Sequence, residues 1–99
     1  MRLSPQEAEA IHRIARELAG PSARVRLFGS RLDDTARGGD LDLLLELPEP
    51  VDHPALLSAR VAASVSRLMQ GRRVDVVLAA PNLKHLPIHD IATEQGQLL

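Results

Sequence analysis

The chain has 99 residues, of which 44% are apolar and 25% charged, with a net charge of −1. That is the composition of one ordinary globular domain. It has no Cys, Trp or Tyr, and its one aromatic is Phe28. These numbers exclude disulfide frameworks, Cys-ligated zinc and thiol nucleophiles, and they argue against base-stacking platforms and a broad basic face for nucleic acid.

In chain order, Met1-Arg2-Leu3-Ser4-Pro5 enters a helix start rather than a secretory leader, and no apolar run reaches the ~18 residues of a membrane span. A cytoplasmic protein without membrane contact is expected. Ser4 as N-cap, Pro5 at the first helical position and Glu7 form a capping box. Ala8, Ile11, Ala15 and Leu18 follow at helical spacing, and Gly20-Pro21 stops the segment, so a helix is predicted over Pro5–Ala19. Ala23–Phe28 alternates as a half-buried strand and runs into Gly29-Ser30. Arg31–Gly39 is polar and Gly-rich, a short helix or a loop.

Leu41–Leu47 reads as a second strand, apolar except for Asp42, followed by an acidic loop with Pro48, Pro50 and Pro54 around Glu49 and Asp52. Asp52 is placed to cap a long helix reaching Gln70, closed by Gly71, with Leu57, Val61, Val65 and Leu68 as its core stripe. Arg72–Ala79 is a third strand centred on Val-Asp-Val-Val-Leu, and Ile88–Gln95 a terminal helix ended by Gly96. The order α-β-(α)-β-α-β-α predicts an α+β fold, one domain over 1–99, with helices on a mixed three-stranded sheet.

Two strands carry acids where apolar side chains belong. Asp40 and Asp42 are two apart at the start of the second strand, so they point the same way, about 6.5–7 Å apart. Asp75 lies inside the third strand and converges on them if the strands are neighbours. Three bare carboxylates repel, and charged groups are rarely buried without a partner. A hard divalent cation resolves the conflict. Oxygen-only ligation suits Mg²⁺, or Mn²⁺, and two such ions can clamp both the attacking and the leaving oxygen of a phosphoryl displacement. Asp40 and Asp42 would then hold both ions. Asp75 would hold one, and is also the group placed to take the proton of an acceptor hydroxyl.

Gly29-Ser30, directly after a strand, offers close backbone approach, a hydroxyl and amide donors to a phosphate. Arg31 beside it can meet phosphate or solvent, and Arg37 is a weaker candidate of the same kind. Asp33 and Asp34 read as loop-shaping caps, and Arg72-Arg73 as a solvated edge. His85 and His89 are four apart but Pro87 intervenes, which disfavours a metal pair; His12 and His53 have no ligand spacing.

The stretch LFGSRLDDTARGGDLDLLLE (Leu27–Glu46), with VDVVL (Val74–Leu78), resembles the signature of the minimal nucleotidyltransferases of the DNA polymerase β superfamily. The resemblance spans nearly the whole chain, through Pro87-Ile88, Ala92 and Gly96 to Leu98-Leu99. It implies that Gly29 and Ser30 grip a nucleoside triphosphate, that Asp40 and Asp42 bind two metals, and that Asp75 completes one of those sites. It also implies a helical HEPN-type partner, in some members a ribonuclease toxin that receives AMP from ATP on a tyrosine. Larger members add a domain for the base and the acceptor, which has no counterpart in these residues, so the acceptor is expected on a partner.

Two competing readings stand beside this one. One is a non-catalytic antitoxin that neutralises a HEPN-type partner by occlusion; the other is a transferase acting on a small molecule such as an aminoglycoside. A homo- or hetero-oligomer suits so small a domain.

Overall fold

The computed structural model describes residues 3–28 and 41–99. Helix α1 spans Pro5–Ala19, as the capping signal predicts. Ser4 Oγ accepts the Glu7 N–H (3.1 Å), and Glu7 Oε1 accepts the Ser4 N–H (2.8 Å). A cap of this kind contributes about 1 kcal/mol. The helix ends where Gly20 takes φ +108° and donates its N–H to the Arg16 carbonyl, a conformation that favours glycine. Ala10, Ile11 and Ala15 form the buried face, whereas Leu18 is exposed.

Strands β1 (Arg24–Phe28) and β2 (Leu41–Glu46) pair antiparallel, with Arg24 opposite Glu46 and Phe28 opposite Asp42. Helix α2 (Pro54–Leu68) then returns the chain so that β3 (Val74–Ala79) runs parallel to β2. Helix α3 spans Pro87–Gln95 and leads into β4 (Gln97–Leu98), which pairs antiparallel with β1. The sheet order is β3-β2-β1-β4.

The α+β class stands, but the sheet has four strands instead of the predicted three. β4 is only two residues long, too short for a periodic signal. What makes room for it is Gly96, whose position a Cβ could not share with the carbonyls of Ala92 and Leu27. Two features of α2 also differ from expectation. It starts at Pro54, so the N-cap position falls on His53, which makes no side-chain cap bond, and not on Asp52. Its buried stripe advances by fours through Leu57, Val61 and Val65 to Met69, leaving Leu68 exposed. The optional helix within 31–39 lies outside the described residues.

Each sheet face has its own cover. Val25, Leu27, Leu41, Leu43, Leu45, Val74 and Leu78 join Ile11 and Ala15 of α1 and Val61 and Val65 of α2 in the main core. On the opposite face Phe28 and Leu44 cluster with Ala92 of α3, and Val77, Ala79 and Ile88 pack against them. This two-sided cover explains why β2 is apolar at consecutive positions: Leu43, Leu44 and Leu45 are all buried. At the far end, Asn82 pins the proline loop by accepting the Val51 N–H (2.9 Å) and donating to the Val51 carbonyl (2.8 Å).

Gly96→Ala should therefore lower the unfolding free energy by about 1–3 kcal/mol in urea denaturation, because the added methyl forces two backbone segments apart. Gln97→Ala, at an exposed neighbour, should change it by less than about 0.5 kcal/mol.

Candidate active site

The acids that interrupt the apolar strands meet at one end of the sheet. Asp42 is the second residue of β2 and Asp75 the second of β3, and the parallel register sets them directly opposite each other. Alternation puts Asp42 on the same face as Leu44, and Asp75 on the same face as Val77. Both acids thus belong to the α3 face, beside the apolar cluster of Phe28, Leu44 and Ala92. Both are half-buried. Adjacent strands lie about 4.8 Å apart, so the two carboxylates are within reach of a single cation bound at about 2.1 Å from each oxygen. Like charges at such positions repel. An all-oxygen donor pair held this way fits a hard divalent cation.

Phe28, the last residue of β1, is in register with Asp42, so β1 ends beside this pair. Gly29, Ser30, Arg31 and Asp40 themselves lie outside the described residues, as do Asp33, Asp34 and Arg37. Among the described residues no group of three or more His, Cys, Asp or Glu gathers as a metal cage. The structure therefore brings together Asp42 and Asp75 of the predicted set.

One contact at this end was not anticipated. Arg73 Nε stands 3.6 Å from Asp75 Oδ1, where the sequence had suggested only a solvated edge. The signal was present in the spacing, since residues two apart along a strand share a face.

The residues Leu86 and Leu78 account for His89. It is buried; its Nδ1 accepts the Leu86 N–H (2.8 Å) and its Nε2 stands 2.8 Å from the Leu78 carbonyl oxygen. An N–H can only donate and a carbonyl only accept, so these partners assign the neutral tautomer with its hydrogen on Nε2. No lone pair remains for a metal. His85 stacks against the His89 ring at 5.1 Å and pairs with Asp90 at 2.8 Å, both exposed.

A comparison with protein families decides what this arrangement belongs to. Residues 8–99 match the model of the nucleotidyltransferase domain. The chain belongs to that family. As a nucleotidyltransferase domain it fits a minimal member of the DNA polymerase β superfamily, and its mixed α+β sheet is consistent with that fold. The family transfers nucleoside monophosphate groups, takes a nucleotide as substrate and typically uses divalent metals. No curated protein matches the chain. Among the described residues no helix is long and apolar enough to cross a membrane.

The assignment of His89 has a direct consequence. His89→Ala strands a buried N–H and a buried carbonyl and should cost about 2–3 kcal/mol of stability by urea denaturation. His85→Ala, which loses only an exposed pair, should cost less than about 1 kcal/mol. A chelator should leave both differences unchanged.

Proposed function

We propose that this nucleotidyltransferase transfers AMP from ATP to a hydroxyl on a HEPN-type helical partner, in an antitoxin-like role. The observation that carries the reading is the in-register pair Asp42 and Asp75, at the sheet end where β1 finishes with Phe28. In this reading Asp40, Asp42 and Asp75 hold two Mg²⁺, for which Mn²⁺ is an alternative. When bound, the ions supply charge neutralisation of the phosphates and lower the acidity barrier of the acceptor hydroxyl.

The rest of the work falls to the chain. Gly29 and Ser30 hold the triphosphate through backbone amides and a hydroxyl, and Arg31 adds a guanidinium to the same phosphates. The acceptor oxygen attacks the α-phosphorus in line, the bond to the bridging oxygen breaks, and pyrophosphate departs. Asp75 takes the hydroxyl proton on a carboxylate oxygen, which its half-buried position leaves reachable from solvent. Most of the rate comes from alignment and from placing fixed charge around the phosphates. The half-buried setting of both acids supports this over a purely occluding role, because a surface evolved only to cover a partner gains nothing from two like charges in register.

The test is transfer of label from α-labelled ATP to a co-purified HEPN-type partner in Mg²⁺. Wild type should label the partner. Asp42→Asn should reduce labelling by about 100- to 1000-fold, on the scale of losing an electrostatic catalytic group, with an unchanged circular dichroism spectrum. Neutralisation of the partner that persists in Asp42→Asn, with no labelling by wild type, would establish occlusion instead.

A further inference from the structure

Part of the β3 backbone faces away from the sheet. The Arg73 and Ala79 carbonyls accept the N–H groups of Leu41 (2.9 Å) and Leu47 (2.8 Å). By alternation Asp75 and Val77 also bond toward β2, while Val74, Val76 and Leu78 turn their N–H and carbonyl groups outward. The Leu78 carbonyl is taken by His89. Among the described residues no strand lies beyond β3, and no hydrogen bond meets the outward groups of Val74 and Val76. The open stretch is thus the one centred on Asp75, whose side chain is 46% exposed. Such an edge is completed by an extended chain. A second copy of β3 fits it poorly. Two-fold pairing about Asp75 sets that carboxylate against its own copy, and pairing about Val76 sends the Val74 N–H to a Leu78 carbonyl already in use.

We propose that the acceptor protein docks as an extended segment, antiparallel along the Val74–Val76 edge of β3, with its hydroxyl residue opposite Asp75. The proposal rests on the reading of Asp75 as the group that takes the acceptor's proton. Antiparallel strands at the border of a parallel pair are common in mixed sheets. In a ladder built on the outward groups of Val74 and Val76, the residue opposite Asp75 falls in a non-hydrogen-bonded pair, where side chains approach most closely. It also shares the face of Asp75. Opposed Cβ atoms there stand about 4.5–5.5 Å apart, within reach of a hydroxyl-bearing side chain and a carboxylate. The hydroxyl oxygen attacks the α-phosphorus, its proton passes to Asp75 and pyrophosphate leaves. Main-chain bonds supply the affinity, and the register selects which residue is modified.

The experiment is amide hydrogen exchange, followed by NMR, on the protein alone and with the partner labelled in the transfer assay above. Alone, the Val74 and Val76 amides should exchange fast, and those of Asp75 and Val77, which serve β2, slowly. With the partner, Val74 and Val76 should slow by at least about tenfold. Val76→Pro removes one outward donor and leaves the β2 ladder whole, so KM for the partner should rise roughly two- to tenfold with kcat nearly unchanged. Leu98→Pro makes the same change at the other edge and should move neither. Circular dichroism checks the folding of both variants, and the wild-type exchange pattern decides if Val76→Pro does not fold. Moving the partner's hydroxyl residue by one position turns it to the other face and should cut labelling by at least about tenfold. Transfer without protection of Val74 and Val76, protection that appears in the protein alone at raised concentration, or equal labelling at adjacent positions overturns the docking mode and leaves the transferase reading standing. Absence of transfer by wild type overturns both.

Discussion

The parallel pairing of β2 with β3 is the constraint on which the rest of the molecule depends. Its register couples two demands that pull apart. Leu41, Leu43, Leu45, Val74 and Leu78 must face α1 and α2 to form the main core. Because side chains alternate, that choice sends Asp42 and Asp75 to the other face together. A slip of one residue in either strand would turn its acid toward the core and its apolar residues away from it, and so part the pair. Core formation therefore enforces the geometry of the candidate site, and the site needs no separate device to align its two strands.

Helix α3 defines where that face changes character. Its Ala92 clusters with Leu44, next on that face of β2 from Asp42, and with Phe28, which is in register with Asp42, while both acids remain half-buried. The acids consequently stand at the border between an apolar cover and water. Fully buried, they would be hard to ionise together; fully exposed, their charges would be screened and weak. Their half-buried position keeps electrostatic leverage while leaving a route for ligands.

Much of this was legible in the amino-acid order. Ser4, Glu7 and Gly20 by local hydrogen bonds, and Pro5 by its fixed φ, set the limits of α1, so they can be read directly. Asp42 and Asp75 stood out because an acid within an apolar strand contradicts its surroundings. Other features depend on contacts distant in sequence and left no local mark. Nothing near Gln97-Leu98 reveals that β1 has an edge to offer, and nothing near His89 reveals that Leu78 and Leu86 will face it. The exchange of Leu68 for Met69 follows from how α2 turns against the sheet, which a hydrophobicity pattern fixes only to within a residue. For Gly29, Ser30, Arg31 and Asp40 the expectation rests on the sequence, since they lie outside the described residues.

The ring of His89 has an effect beyond its two hydrogen bonds. In β3 the carbonyls of Arg73 and Ala79 turn toward β2, so those of Val74, Val76 and Leu78 turn outward. Among the described strands β3 is a border of the sheet, and such borders invite pairing with any extended chain nearby. By occupying the Leu78 carbonyl, His89 shortens the stretch on which a foreign strand can zip, and α3 anchors that plug in place. The His89 side chain thus acts as a guard against unwanted sheet extension along β3.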